Sequence, residues 1–350
     1  MSEPVDPRSR RRIAVLAGGF GGARFVRGLL HAVGDSAEVT VVVNTGDDLW
    51  LHGLRVCPDL DTVMYTLGGG ISEERGWGRA DETFTVKDEL AEYGMEPSWF
   101  GLGDRDIATH LVRTQLLNAG FPLSEVTEAL CTRWKADVRI LPMSDDRAET
   151  HVVIDDPDTA ADREDVASRR RAIHFQEWWV RYRAALPAHD IVLVGAREAK
   201  PAPGVLDALE NADVVILAPS NPVVSIGTIL QIPGIREALT GRAGPVVGVS
   251  PIIGGRPVRG MADACLAAIG VDTSAQAVAR HYGPRRAVIP RGAPGGGILD
   301  AWLVDSDDSG DVAGIESLGI RCRAVPLLMT DLAEAARIAQ EALDVAADPR

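Results

Sequence analysis

Four aspartates fall within a fifteen-residue window. Asp47 and Asp48 lie in Asn44-Thr45-Gly46-Asp47-Asp48, and Asp59 and Asp61 in Pro58-Asp59-Leu60-Asp61-Thr62. Hard carboxylate oxygens at that density suit magnesium, and magnesium suits phosphoester chemistry. Upstream, a short apolar run enters Gly18-Gly19-Phe20-Gly21-Gly22-Ala23-Arg24. Glycines at a strand-to-helix turn let the backbone approach a ligand, while the first helical amides face an anion. A phosphate cradle beside a carboxylate cluster fits an enzyme that handles a nucleotide or another phosphoester through a divalent metal. The glycine run lacks the Gly-Lys-Ser/Thr ending of a P-loop and departs from the G-x-G-x-x-G dinucleotide spacing. Aspartates also cap helices and turns, and Asp48 can simply hold its own turn.

Later segments offer further donors. Ser220-Asn221, and Ser250 with Gly254-Gly255, present side-chain and backbone groups to a nucleobase or phosphate, or form ordinary turns. Arg256 and Arg259 add charge to a phosphate site or are solvated surface. Gly103-Asp104-Arg105-Asp106, followed by His110, is either a functional loop or a salt-bridged helix cap. Trp50 and Trp77 stack on a flat ring or are buried. His174 and Glu177, beside Trp178 and Trp179, read as a packed strand end rather than a metal pair.

The elements that must position these groups read as an α/β fold. A strand over 13–17, a helix over about 23–33 and a strand over 39–44 form one βαβ unit, with short apolar strands of the parallel, doubly covered kind. Residues 61–135 read as an inserted helical layer, with amphipathic segments at 109–117 and 123–134. Polar-apolar stretches at 150–154 and 172–178 flank the Asp- and Arg-rich segment 155–171, a loop or hairpin. Buried-type strands at 191–194, 213–218 and 245–249 resume the sheet, each followed by a special loop, and ligands of open α/β sheets bind outside such carboxyl ends. A Pro/Gly-rich loop (289–297), strands at 301–304 and 321–328 and a helix over 331–346 complete a Rossmann-like, doubly wound, mostly parallel sheet. Residues 1–12 read as a flexible extension and 13–350 as a single α/β domain.

Composition sets outer bounds. The chain has 350 residues, 46% hydrophobic and 25% charged, and a net charge of −14, which disfavours nucleic acid and anionic membrane surfaces. Cys57, Cys131, Cys265 and Cys322 are too dispersed for a zinc site or a disulfide framework and read as reduced thiols. No run approaches the ~18 apolar residues of a membrane span, and the sequence reads as cytoplasmic.

Taken together with Leu217-Ala218-Pro219-Ser220-Asn221-Pro222 and Val249-Ser250-Pro251-Ile252-Ile253-Gly254-Gly255, the motifs above resemble the 2-phospho-L-lactate transferase family of coenzyme F-420 biosynthesis. Its bacterial members are usually called phosphoenolpyruvate transferases. The resemblance runs from about residue 12 to 335, is nearest the actinobacterial branch, and departs from it in the extension 1–11 and the long loop 287–297. It implies a homodimer and transfer from a GDP-linked enolpyruvate or lactate donor to the ribityl hydroxyl of 7,8-didemethyl-8-hydroxy-5-deazariboflavin, with release of GMP. By motif position, Asp47 and Asp61 are the leading catalytic magnesium ligands, with Asp48 and Asp59 in reserve, and Asp61 alternatively holds the attacking hydroxyl. Gly18, Gly19, Gly21 and Gly22 would cradle donor phosphate. Ser220, Asn221, Ser250, Gly254 and Gly255 would bind the guanosine side. Arg105, Trp77 and Asp61 would meet the deazaflavin. Asp61→Ala is expected to lose on the order of 100-fold in turnover while the fold survives. Two rivals are a nucleotide-binding regulatory protein without transferase activity and a nicotinamide-dependent oxidoreductase. The second is disfavoured because the second strand ends in Asn44 rather than a ribose-binding acid.

Overall fold

The computed structural model describes residues 10–136, 138–157, 170–285 and 296–348. Strand β1 (Arg11–Ala17) feeds helix α1 (Gly19–Val33) and β2 (Ala37–Val43). The hairpin β3 (Leu49–Leu51) and β4 (Leu54–Val56) leads into α2 (Pro58–Leu67), α3 (Thr85–Glu92), α4 (Asp104–Asn118) and α5 (Leu123–Trp134), and the crossover ends at β5 (Arg139–Pro142). A second excursion holds β6 (Glu149–Asp155), β7 (Arg170–His174), β8 (Ala188–Val194) and α6 (Val205–Asn211) before β9 (Val214–Leu217). Then follow α7 (Ile226–Ile229), α8 (Ile235–Gly241), β10 (Val246–Val249), the small hairpin β11 (Ile252–Ile253) and β12 (Arg256–Pro257), α9 (Ala262–Ala268) and α10 (Ala275–Tyr282). Strand β13 (Ala301–Val304), α11 (Val312–Glu316), β14 (Arg321–Ala324) and α12 (Leu332–Ala347) close the chain.

Seven of these strands form one parallel sheet in the order β5-β2-β1-β9-β10-β13-β14. Their near-continuous aliphatic content is what burial on both faces requires. In β1, Ile13, Val15 and Ala17 pack with residues of α1, α2, α5 and α12, while Ala14 and Leu16 point to the opposite core with α6, α8 and α10. The chain reverses its winding between β1 and β9, and open α/β sheets bind ligands at the carboxyl ends of the strands beside such a switch point.

Helix α12 lies on α1 so closely that a Cβ on Gly28 would sit 2.4 Å from the carbonyl carbon of Ala335. Gly28→Ala is therefore expected to lower stability by about 1–3 kcal/mol through overpacking, read as a lower denaturant midpoint at unchanged slope.

Several expectations are corrected. Residues 191–194 belong to β8, which pairs antiparallel with β6 in a separate sheet ordered β7-β6-β8, so residues 195–197 do not follow a main-sheet strand; Gly195 instead abuts the Arg147 carbonyl in the loop after β5. The third strand of the main sheet is β5, whose four residues were too short to register between helix and polar loop. The β3–β4 hairpin was likewise missed. Helix α1 starts at Gly19, four residues early, because the glycines form its first turn. Strand β14 ends at Ala324, since Leu327 turns aside to donate its amide to Asp305 Oδ2 (2.7 Å). Arg11 and Arg12 already pair in β1, whereas residues 1–9 of the expected extension, 158–169 of the charged segment and 287–295 of the long loop lie outside the described residues. Among the described residues, no helix is long and apolar enough to cross a membrane.

Candidate active site

The residue after β2, Asn44, is fully buried and ties three loops together. Its amide nitrogen donates to Asp59 Oδ2 (2.9 Å) and the Val224 carbonyl (3.1 Å). Its oxygen accepts from the Gly46 amide (2.8 Å) and the Thr228 hydroxyl (2.6 Å). With both amide hydrogens and both oxygen lone pairs engaged, the side chain has one orientation.

The glycine turn is shaped by neighbours as much as by any ligand. The Ser220 hydroxyl accepts from the Gly18 amide (3.0 Å) and donates to the Gly18 carbonyl (2.7 Å), bolting the loop after β9 to the loop after β1. A Cβ on Gly18 would lie 2.5 Å from Asp59 Oδ2, and one on Gly22 would lie 2.4 Å from Ser220 Oγ. Asp59 accepts a hydrogen bond from the Gly19 amide, so the anion facing the first turn of α1 is the protein's own carboxylate.

The four sequence-singled aspartates do converge, and all are buried. Asp48 pairs with Arg55 (3.1 Å). Asp61 takes a two-pronged guanidinium contact from Arg113, Nη1 to Oδ2 at 3.1 Å and Nη2 to Oδ1 closer still. Four carboxylates thus meet two guanidiniums, and among the described residues Asp47 and Asp59 have no cation within ion-pair distance. Burial, then the neighbouring charges of Asp59 and Asp48, holds the Asp47 carboxyl well above the usual carboxylate range, and its Oδ1 is buried with no hydrogen-bond partner. Burial likewise raises Asp59 to about 6, against the hydrogen bonds from Asn44 and Gly19. Asp48 is raised to about 6 by burial, with Arg55 opposing.

Beside this pair, the Tyr65 hydroxyl donates to Asp106 Oδ1 (2.5 Å), and His110 Nε2 stands 3.5 Å from Asp106 Oδ2. Arg113 Nη1 lies 3.0 Å from His110 Nδ1. A guanidinium only donates, so Nδ1 accepts and the ring hydrogen sits on Nε2, toward Asp106. Asp61, Asp106 and His110 offer ligand atoms within 4.8 Å of one another, the one group of three such residues so placed among the described residues. The Arg113 guanidinium already supplies a positive charge there. The acidic donor sets at this end of the sheet fit a divalent cation.

The small antiparallel sheet grips the acidic loop from the other side. The Thr150 amide donates to the Gly46 carbonyl (2.6 Å). His174 Nδ1 accepts from the Gln176 amide (3.1 Å), which leaves Nε2 protonated to donate to the Asp48 carbonyl (3.2 Å). His174 and Glu177 diverge, as expected, with Glu177 turned to Arg181 and Arg171.

The remaining sequence candidates lie around this centre. Asn221 Oδ1 accepts from the Val223 and Val224 amides (2.9 and 3.2 Å), and Ser250 closes a turn onto Ile252. The Gly254 and Gly255 amides, both at positive φ, donate to the Asp308 carboxylate (3.0 and 3.2 Å). Arg105 is exposed and only loosely paired with Asp81 (3.9 Å), while Trp77 is half exposed under Arg75. Sequence reading missed Asn44 as a hub and Arg55 and Arg113 as counter-ions. Asn44 had a signal, a lone amide at a strand's carboxyl end. The arginines had none, because their pairing depends on tertiary contact.

Because Asp48 and Asp59 bind protons in the folded state between pH 3.8 and about 6, and burial raises Asp47 as well, the ion-free protein is stabilised as pH falls through that window. Asp106 and Glu149, both lowered, act oppositely, losing stability as pH falls through their depressed values. The Tm of chelator-treated protein is expected to rise as pH falls from about 6 towards 4, and magnesium affinity to weaken below about pH 6 as protons compete. Calorimetry across that range checks both.

The family profile described as 2-phospho-L-lactate transferase CofD matches residues 13–319. A protein of Streptomyces griseus named phosphoenolpyruvate transferase is 62% identical over 339 residues, covering 97% of this chain and 99% of that protein. Proteins of the same name from Thermobifida fusca (96% and 98% covered) and Nocardia farcinica (98% and 97%) are 61% and 57% identical. Two crystal structures of a Bacillus halodurans protein, one described as a member of the UPF0052 family, superpose with TM-scores of 0.59 and 0.61 over 95% of this chain and 99% of theirs. At 17% and 15% identity they attest the fold.

Proposed function

Because the chain belongs to the 2-phospho-L-lactate transferase CofD family, we propose that it is a phosphoenolpyruvate transferase of coenzyme F-420 biosynthesis, using magnesium to join a three-carbon phosphoacid to a deazaflavin. The donor is a GDP-linked enolpyruvate or lactate, with enolpyruvate favoured by the names of the relatives. The acceptor is the ribityl hydroxyl of 7,8-didemethyl-8-hydroxy-5-deazariboflavin. Its oxygen bonds to the phosphorus next to the three-carbon acid, the bond from that phosphorus to the bridging oxygen breaks, and GMP leaves with the electron pair. A homodimer, implied by resemblance alone, is part of the proposal and is read by sedimentation.

The observation that carries the metal reading is the buried, uncompensated pair Asp47 and Asp59, one oxygen of which has no partner. These two residues would hold magnesium, whose charge neutralises phosphate oxygens as bonds form and break. The chain's own work is positioning. Asn44 orients Asp59 and fixes the Gly46 turn, Ser220 locks the loops after β1 and β9, and His174 holds the main chain at Asp48. Asp61, held by Arg113, presents a fixed negative surface rather than a free base. The topological switch point beside the carboxyl ends of β1, β9 and β10 supports placing the donor against Gly18 to Gly22 and the loops at Ser220, Asn221, Ser250, Gly254 and Gly255, with the deazaflavin toward Trp77 and Arg105.

Chromatography with deazaflavin fluorescence and mass detection tests this. Purified protein with deazaflavin, magnesium and donor generated in situ is expected to give a new fluorescent phosphodiester and matching GMP, and none without magnesium. No product from folded protein, where a family enzyme succeeds in the same mixture, overturns it.

A further inference from the structure

In a chain with 50 acidic and 36 basic side chains, an arginine with no carboxylate partner stands out. Two such arginines, Arg75 and Arg259, meet beside the first turn of α1. Arg259, two residues beyond β12, lays its guanidinium over the Phe20 ring at 5.0 Å and donates from Nη2 to the Arg75 carbonyl (2.5 Å). Arg75 sits over Trp77 (5.5 Å) and Phe84 (5.7 Å) and donates to the Arg79 carbonyl (2.6 Å), while its Nε is buried without a partner. Among the described residues, neither has a carboxylate within ion-pair distance. Acids are at hand, since neighbouring Glu73 pairs with Arg27 at 2.6 Å. Arg24 flanks the same Phe20 ring at 5.6 Å and helps lower the pKa of Asp331, behind the hydrogen bond from the Glu334 amide.

The location gives these charges a use. Phe20 follows Gly19, whose amide bonds Asp59, so the Arg259 guanidinium packs on the same first turn of α1 that Asp59 faces. Arg259 also reaches Gly76 so closely that a Cβ there would lie 2.6 Å from its Nη1, linking the segment after β10 to the segment after α2. An anion entering a pocket lined by carboxylates needs fixed positive charge on the side away from them. A guanidinium held by a neutral carbonyl and a ring face exchanges those weak contacts for charge-assisted ones without breaking an ion pair.

We propose that Arg75 and Arg259 form an anion clamp for the diphosphate end of the donor, closing over it from two loops. The identity of the anion rests on the transferase reading; the clamp itself rests on the geometry. Inorganic pyrophosphate, with and without magnesium, is the probe, with lactate as a carboxylate-only comparison and Trp77 fluorescence or calorimetry as the readout. R259Q and R75Q are each expected to weaken pyrophosphate binding on the order of tenfold with Tm unchanged, and R259K to recover part of it. R133Q, which removes a ring-stacked guanidinium elsewhere (5.2 Å over Trp134), is expected to leave affinity as in the wild type. Wild-type pyrophosphate affinity in both R259Q and R75Q overturns the clamp, and so does a loss confined to lactate. Failure of the transferase reading looks different, because pyrophosphate binding would still respond to R259Q while the chromatographic assay gave no phosphodiester.

Discussion

Asp59→Asn is expected to lower turnover on the order of 10³-fold and, in the absence of magnesium, to make the protein more stable rather than less. Asp59 is buried with its pKa raised to about 6, beside Asp47, whose carboxyl burial and the neighbouring acids also hold well above the usual range. Two units represent about 3 kcal/mol of strain in the ionised form near neutral pH. Asparagine removes the charge and still accepts from the Asn44 amide, though its NH₂ group is poorly placed against the Gly19 amide, so a net gain of about 1–2 kcal/mol is expected. With magnesium the order reverses, because the wild type gains binding energy that the variant has lost. Melting curves of both proteins, with chelator and with magnesium, measure the crossing. A variant that melts lower than the wild type in chelator removes the case for an uncompensated carboxylate pair.

The second large effect is at Asp61. Its partner Arg113 is almost wholly buried, with further contacts only to the Arg55 carbonyl (3.3 Å) and the His110 ring, so Asp61→Ala strands a positive charge in the interior. A loss of about 3–5 kcal/mol is expected, which may not be read as catalysis. Replacing both partners by apolar residues, Asp61→Leu with Arg113→Met, is expected to recover most of the stability while turnover stays down on the order of 100-fold. Wild-type turnover in the refolded double variant would mean that Asp61 serves only as a counter-ion.

That difference between Asp59 and Asp61 marks how far the sequence was legible. The βαβ opening, the parallel strands at β9, β10 and β13 and the final helix were readable, because apolar period and glycine or proline punctuation are local signals. The polar-apolar flanks of the charged segment pointed to the β6–β7 pair, but β8 reads as a main-sheet strand, since its residues 191–194 are as apolar as one and only pairing tells them apart. Aspartate density correctly pointed to one spot on the fold. Which aspartates remain without a cation depended on Arg55 and Arg113, seven residues from Asp48 and fifty-two from Asp61 along the chain, which no local pattern connects to them.

The close seat of α12 on α1 also has a consequence for biogenesis. Helix α1 carries the glycine turn at one end and buries Ala23, Phe25, Val26 and Leu29, and part of what it is packed against is a helix translated about 300 residues later. At bacterial elongation rates that is roughly 15–60 s during which a nascent chain already contains all four aspartates yet lacks the buttress behind the turn they face. A ribosome-bound intermediate that has not yet made α12 would expose that aliphatic stripe to chaperones, so the glycine turn gains its full support only once α12 is in place.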